Sequence, residues 1–172
     1  MFWGDTPSID DVSVFDQGLA VTKFRNVDRN GQPAPSNDQT QVSVDFPLFR
    51  AADAYLIYAE AVLRGGNGNM ETALEYVNAV RTRAYGGATT GNVSAIDLDL
   101  DFILDERARE FYWEAHRRTD LIRFGKYTGN TYLWPYKAGA QGGTTISAHL
   151  AIFPLPSSDV IANPNLTQNT GY

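Results

Sequence analysis

Charged and aromatic side chains are densest in the stretch DERAREFYWEAHRRTDLIRFGK, residues 105–126. Glu106 and Glu110 are four residues apart, which places both carboxylates on one face of a helix. Glycoside hydrolases use two carboxylates as acid and base, although these usually converge from separate elements. Each glutamate here has an arginine beside it, Arg107 or Arg109, so ion pairing is the favoured interpretation and a glycoside hydrolase remains an alternative.

The same stretch contains arginines that suggest a second kind of chemistry. Arg117, Arg118 and Arg123 lie close together, as they would in a phosphate or nucleic-acid site. Asp120 is three residues from Arg117 and three from Arg123, so it can bond to either. The favoured interpretation is a buried or half-buried Arg–Asp network that locks the end of the helix.

Metal and nucleophile signatures are weak. His116 and His149 are the only histidines, and neither belongs to an H-E-x-x-H pattern that would place two imidazoles on one helical face. The acidic run Asp97 to Asp101 lacks the glycine and distal glutamate of a calcium loop, so helix capping explains it better. There is no G-x-S-x-G elbow. The sequence predicts no metal, no cofactor and no catalytic residue.

A third kind of chemistry is sugar stacking on aromatic rings. Trp3, Tyr132, Trp134 and Tyr136 lie in loops beside glycine and proline, away from the helical patterns. An exposed ring can stack on the face of a sugar, whereas a buried one packs the loop. Both interpretations stay open for these four candidates.

The chain as a whole sets limits on these hypotheses. At 172 residues it is long enough for one domain with a substantial core. Its net charge of −6 argues against general nucleic-acid affinity. It has no cysteine and no apolar run long enough to span a bilayer, so any export signal or lipid anchor would lie outside these residues.

The secondary-structure elements that must position these candidate residues are predicted to be mainly helices. Residues 1–47 predict loops and short strands, with a hairpin pairing 19–27 and 40–46 around an Asn-Gly turn. Residues 48–126 predict helices: one ending at Gly65-Gly66, one capped by Asn69 and ending at Gly86-Gly87, and a third, the longest. The apolar face of the third is Leu104, Ala108, Phe111, Tyr112, Ala115 and Ile122. Residues 127–172 predict an irregular C-terminal segment.

The first two helices resemble a degenerate tetratricopeptide pair, with Ala59 where the helices approach closely. A protein-interaction scaffold is therefore another alternative, and it would need an open groove on the first helix. Tyr55, Ile57 and Tyr58 point to different sides of that helix, which predicts burial around most of it and disfavours such a groove.

Most of the chain resembles one known family. The segments FPLFRAADAYLIYAEAVLRGG, ALEYVNAVRTRAYGG, LDERAREFYWEAHRRTDLIRFGKYTG, YLWPYKAG and IFPLPSSDVIANPNLTQNTGY, in this order, are similar to the C-terminal part of the SusD/RagB family. Members are nutrient-binding outer-membrane lipoproteins of Bacteroidetes, typically around three times longer than this chain. The resemblance implies a mainly α fold, with tetratricopeptide-like helix pairs, loop-rich irregular segments and a few short strands, and a single C-terminal domain over residues 1–172.

The resemblance also implies a function without catalysis. Family members capture oligosaccharides or other nutrients at the cell surface and pass them to a SusC-like TonB-dependent transporter, and starch or a similar glycan is the expected ligand here. The match to the family's most recognisable helix implies a structural ion-pair network, formed by Glu106, Arg107, Arg117, Asp120 and Arg123. Loss of one partner of a buried pair costs about 3–5 kcal/mol, so we expect misfolding before any loss of ligand contact. The family's sugar-contacting residues come largely from loops before this segment, so none carries over to this chain, and Trp3, Tyr132, Trp134 and Tyr136 remain as candidates.

Overall fold

The computed structural model describes residues 8–14, 17–19, 21–28, 30–33 and 42–172, so Trp3 lies outside the described residues. The chain forms two compact units, Met1–Leu48 and Phe49–Tyr172. The helices of the described residues are in the second unit: α1 (Ala51–Leu63), α2 (Met70–Ala84), α3 (Leu100–Glu110), α4 (Arg117–Arg123) and α5 (Ser157–Ala162). The predicted mainly α fold is confirmed.

The hairpin predicted in the first unit is wrong. Val27 forms a single antiparallel bridge with Pro33 across the Asn-Gly turn, and within the described part of this unit residues 42–47 form no strand. They contact the first segment through a hydrogen bond from the Ser43 amide to the Asn26 side chain at 2.9 Å and through the Phe24 and Phe46 rings, whose centres are 5.6 Å apart. The described residues of 21–27 are exposed or only partly buried, so their alternating pattern has no apolar layer to pack against.

The predicted ends of α1 and α2 are confirmed. Helix α1 stops just before Gly65, whose φ of +89° is a conformation that glycine adopts without strain. Asn69 caps α2, because its side-chain oxygen accepts hydrogen bonds from the amides of Glu71 at 2.7 Å and Thr72 at 3.2 Å. A glycine at one end and a capping asparagine at the other therefore define this turn.

The core of the second unit lies among α1, α2 and α3. Its fully buried apolar members are Leu56, Ala59, Ala73, Val77 and Ile103. The buried positions of α1 form a single stripe, while Ile57 is 51% exposed and Tyr55 is 36% exposed. The predicted burial around most of α1 is therefore wrong, since this helix packs on one side only.

The predicted long third helix is also wrong, because the chain leaves helical geometry after Glu110 and begins α4 at Arg117. Trp113 and Ala115 both adopt a φ of +62° in the intervening turn, residues 111–116. Phe111 remains buried, but Tyr112 is 57% exposed and Ala115 is exposed. The apolar spacing continues across this break, so it indicated one helix where there are two.

The C-terminal segment is irregular, as predicted, with short helical turns. These are two 3-10 turns, Lys137–Gly139 and Ala148–Ala151, followed by α5. Gln168 fastens the tail by a pair of hydrogen bonds with the backbone of Leu155, at 2.8 and 2.9 Å. No helix in the described part of the chain has the length and hydrophobicity that a bilayer crossing requires.

Candidate functional site

A buried arginine ties three helices together. Arg107 of α3 is 4% exposed and donates from Nε to Asp120 of α4 at 2.9 Å and from a terminal nitrogen to Asp53 of α1 at 2.8 Å. A guanidinium matches carboxylates in this way because its N–H groups are held in a rigid plane. We call the ion pairs among α1–α4 and the adjoining Arg50 the ion-pair network. These ion pairs hold the helices in the positions from which the other side chains of the site extend.

Asp120 pairs with Arg123 rather than with Arg117. Its second oxygen accepts from Arg123 at 2.7 Å, and Arg123 also reaches Glu60 of α1. Arg117 instead donates to the backbone carbonyl of Leu104 at 2.9 Å and to the hydroxyl of Tyr132 at 2.7 Å. The prediction that Arg117 belongs to the ion-pair network is therefore corrected: in the described residues it has no carboxylate partner.

The two glutamates considered for hydrolysis are each held by two arginines. Glu106, 3% exposed, accepts from Arg81 and from Arg109, the latter at 2.8 Å. Glu110 accepts from Arg50 at 2.6 Å and from Arg83. The groove beside them is lined by carboxylates of α3 alone, so no carboxylate of another described element faces them. Both glutamates are thus held in ion pairs within the protein, which is a structural role.

Arg50 clamps the turn between α3 and α4. It makes a two-pronged contact with the Glu114 carboxylate, at 2.8 Å for each bond, and also reaches the backbone carbonyl of Glu110 at 3.1 Å. Burial opposes its charge, but hydrogen bonds and charge attraction from Glu114 and Glu110 outweigh that effect and raise the pKa of Arg50 above its usual value. The clamp holds Trp113 and Ala115 in their left-handed conformation, which costs free energy in non-glycine residues.

This turn forms one wall of the aromatic pocket, a cavity of about 780 Å³. We define the pocket by four rings, those of Tyr112 and Trp113 from the turn and of Tyr127 and Trp134 from the loop after α4. Its remaining lining comes from α3, α4 and the turn: Arg107, Ala108, Phe111, Ala115, Arg117, Arg118 and Leu121. A cavity lined mainly by aromatic and apolar groups, with a few polar ones, is typical of a small-molecule site.

The loop side of the pocket is held by a buried lysine. Lys137 is 1% exposed, donates to the carbonyls of Gly129 at 3.1 Å and Tyr132 at 2.6 Å, and lies 4.7 Å from the centre of the Trp134 ring. The two carbonyl groups and the face of the ring thus stabilise its positive charge. The pocket rings are therefore positioned from two sides, by Arg50 and by Lys137.

The loop candidates fall in different places. Trp134 lines the pocket, and the Tyr132 ring lies 5.9 Å from it with its hydroxyl engaged by Arg117. Tyr136 is partly buried, at a φ of +63°, and is not part of the pocket lining. Trp113 was missed, although one signal was available: it falls off the apolar stripe of the helical pattern, where a tryptophan is unusual.

The remaining polar candidates have structural partners. The His116 ring packs on Phe111 with 4.8 Å between centres, and His149 Nδ1 lies 3.0 Å from the Ser147 hydroxyl. Asp99 caps α3 by accepting from the Phe102 amide at 2.7 Å, as predicted for the acidic run. Within the described residues no group of acidic or histidine side chains is arranged to hold a metal ion.

Comparisons with known proteins agree with this architecture. The family model for the SusD family matches residues 3–172. The starch-binding protein SusD of Bacteroides thetaiotaomicron is 40% identical over 163 residues, which cover 95% of this chain and 28% of that protein. SusD-like protein P25 of Formosa agariphila is 30% identical, over 88% of this chain and 28% of that protein.

Solved structures give the same result. A SusD superfamily protein from Bacteroides vulgatus matches with a TM-score of 0.59 and 29% identity, over 79% of this chain and 30% of that one. The surface glycan-binding protein A from Bacteroides uniformis matches with a TM-score of 0.59 and 28% identity, over 80% of this chain and 31% of that one. The chain thus spans less than a third of the relatives it matches. By sequence and by fold, it belongs to the SusD family.

Proposed function

We propose that this chain takes part in capturing glycans at the bacterial cell surface and in passing them, without catalysis, to a SusC-like TonB-dependent transporter. Attachment to the outer membrane would be through a lipid anchor outside this chain. Family membership supports the class of ligand, because relatives are named as starch-binding and surface glycan-binding proteins. The observation on this molecule that carries the proposal is the aromatic pocket.

The pocket suits a sugar for physical reasons. The faces of aromatic rings attract the C–H groups on the flat side of a pyranose, while the sugar hydroxyls remain in water or bond to nearby polar groups. Tyr112 and Trp113 are 57% and 61% exposed, so their ring faces are accessible to a ligand. Because an open site buries little of its ligand, we expect a weak affinity, on the order of 0.1–1 mM.

Catalysis is disfavoured by the state of the two glutamates. Glu106 and Glu110 are each bound by two guanidiniums within the protein, so neither carboxyl group is free to act on a substrate. The aromatic pocket itself is lined by no carboxylate. Incubation with labelled oligosaccharides should therefore produce no new reducing ends.

Isothermal titration calorimetry of the 172-residue chain against neutral and acidic oligosaccharides tests glycan capture directly. We expect weak binding that Trp113→Ala and Trp134→Ala each reduce by at least about tenfold, as expected for loss of a stacking ring. Tyr85→Ala is the matched control, since Tyr85 is 53% exposed and lines the groove on the other side of α3. Absence of binding, or equal losses with Tyr85→Ala, would contradict the proposal.

The transporter half of the proposal needs a separate experiment. An affinity-tagged version of the protein that carries this sequence, expressed in its native outer membrane, should co-purify with a TonB-dependent transporter after mild detergent extraction. Quantitative mass spectrometry against an untagged strain measures this enrichment. Recovery of the tagged protein without any enriched transporter would contradict the partnership.

A further inference from the structure

The arginines of residues 49–172 fall into two groups according to their partners. Most bond to a carboxylate: Arg50, Arg64, Arg81, Arg83, Arg107, Arg109 and Arg123. The exceptions in this fully described range are Arg117 and Arg118, and both line the aromatic pocket. In an acidic chain with a net charge of −6, it is unexpected that these two adjacent arginines lack acidic partners.

Both guanidiniums are held in place by neutral acceptors. Arg117 donates to the Leu104 carbonyl and the Tyr132 hydroxyl. Arg118 donates to the carbonyl of Leu150 at 2.9 Å and to that of Ala151 at 3.2 Å. These bonds orient the two groups but leave their positive charges uncompensated. A half-buried charge of this kind favours an anion brought by a ligand.

The lining of the aromatic pocket adds no negative charge of its own. It contains no aspartate and no glutamate, whereas the groove on the other side of α3 contains Asp105, Glu106 and Glu110. The Arg118 guanidinium also lies over the Tyr127 ring, 5.1 Å from its centre. The pocket therefore combines ring faces with positioned donors that match carboxylate or sulfate geometry.

We propose that the aromatic pocket binds an acidic sugar unit, a pyranose with a carboxylate or a sulfate ester. Its ring stacks on an aromatic face of the pocket, and its anionic group is bound by Arg117 and Arg118. This inference rests on the proposed function and names the class of glycan that the pocket takes. Because both guanidiniums are already hydrogen-bonded, little side-chain freedom is lost when the anion binds.

The test compares sugars that differ only in charge. The 172-residue chain is titrated by calorimetry with trigalacturonic acid and with its methyl ester, and with a sulfated galactan oligosaccharide and its desulfated form. We expect each anionic form that fits to bind about tenfold more tightly than its neutral partner, and this preference to shrink as salt is raised. Preference for carboxylate or for sulfate alone would support the inference and identify the anion.

Variants distinguish the pocket from general charge attraction. Arg118→Ala should remove most of the preference for the anionic form, and Arg118→Gln, which keeps a hydrogen-bond donor for Leu150, should do the same if Arg118→Ala fails to fold. Arg83→Ala is the control, because Arg83 is exposed and lies outside the pocket lining. It should leave the preference unchanged.

Failure of the acidic-sugar inference can be distinguished from failure of the proposed function. Equal binding of acid and ester and of the sulfated and desulfated forms, or a preference that survives loss of the Arg118 charge, would overturn this inference while glycan capture stands. Absence of binding to every sugar, neutral ones included, would contradict the proposed function as well.

Discussion

The two sides of helix α3 differ in how their charges are neutralised. On one side, Glu106 and Glu110 each bond to two arginines, and the groove beside them is lined by side chains of both charges. On the other, Arg117 and Arg118 face a pocket of aromatic rings that no acidic residue lines. Glu106 and Glu110 are paired inside the protein, so a structural role accounts for them. Where a charge is left over beside exposed rings, a ligand is the better explanation.

This difference assigns separate roles to neighbouring residues. The ion-pair network should determine stability, because Arg107 and five of the carboxylates are buried and removal of a buried member takes an ion-pair partner from its neighbours. The pocket rings should determine binding, since they are half-exposed and contribute little to the core. Substitutions at Arg107, Glu114 and Ala115 test this division, with expected effects that decrease in that order.

Arg107→Ala should have the largest effect. It would leave Asp53 and Asp120 without their shared guanidinium, and loss of one partner of a buried pair costs about 3–5 kcal/mol of unfolding free energy. Arg109→Ala is the matched control on the same helix, because Arg109 is 54% exposed and such pairs contribute roughly 0–1 kcal/mol. Urea unfolding followed by circular dichroism measures both.

Should Arg107→Ala fail to fold, Arg107→Lys gives a milder version of the same test. It keeps the charge but cannot reach both carboxylates with a planar group, so an intermediate loss is expected. Equal stability of the Arg107 and Arg109 variants would show that the buried network is not what holds the helices together.

Glu114→Gln should have the next largest effect. Glu114 is 3% exposed and accepts two bonds from Arg50, and removal of a charged hydrogen-bond partner costs about 1.5–3 kcal/mol. The turn that presents Tyr112 and Trp113 should loosen, so oligosaccharide affinity should fall although Glu114 does not line the pocket.

The control for Glu114→Gln is Glu75→Gln on the exposed side of α2, expected to change stability by less than about 0.5 kcal/mol. Urea unfolding and calorimetry, carried out on the same samples, separate stability from binding. Unchanged affinity in a clearly destabilised Glu114 variant would mean that the clamp does not position the rings.

Ala115→Gly should have the smallest effect and the opposite sign. Ala115 has a φ of +62°, where an alanine is strained by about 1–2 kcal/mol and a glycine is not, while glycine makes the unfolded chain more flexible. We expect a net gain of up to about 1 kcal/mol. Ala108→Gly, within α3, should instead lose about 1 kcal/mol, and a loss in both would show that the turn is not strained.

Local signals were sufficient to predict the ends of the helices, but not the break after α3. Gly65, Asn69 and Asp99 act on their own neighbours, so their roles follow from the sequence. The break depends on Arg50, which binds Glu114 from 64 positions away, and no local periodicity reports such a contact. The same limit explains why Tyr112 was assigned to a packing face but is exposed.

The site was predictable only in part for a similar reason. Trp134 was a candidate because Pro135 and nearby glycines mark a loop, and it does line the pocket. Trp113 was hidden within an apparent helix. The choice of Arg123 over Arg117 by Asp120 depends on Arg107, which occupies the other carboxylate oxygen from a different helix.

NMR signals of the three tryptophans, Trp3, Trp113 and Trp134, can show directly where a sugar binds. Each gives one indole N–H signal in an ¹⁵N-correlated NMR spectrum, assigned by Trp→Phe variants. Titration with an oligosaccharide identified by calorimetry should shift the signals of Trp113 and Trp134. A shift of the Trp3 signal alone would place the sugar elsewhere and contradict the assignment of the aromatic pocket.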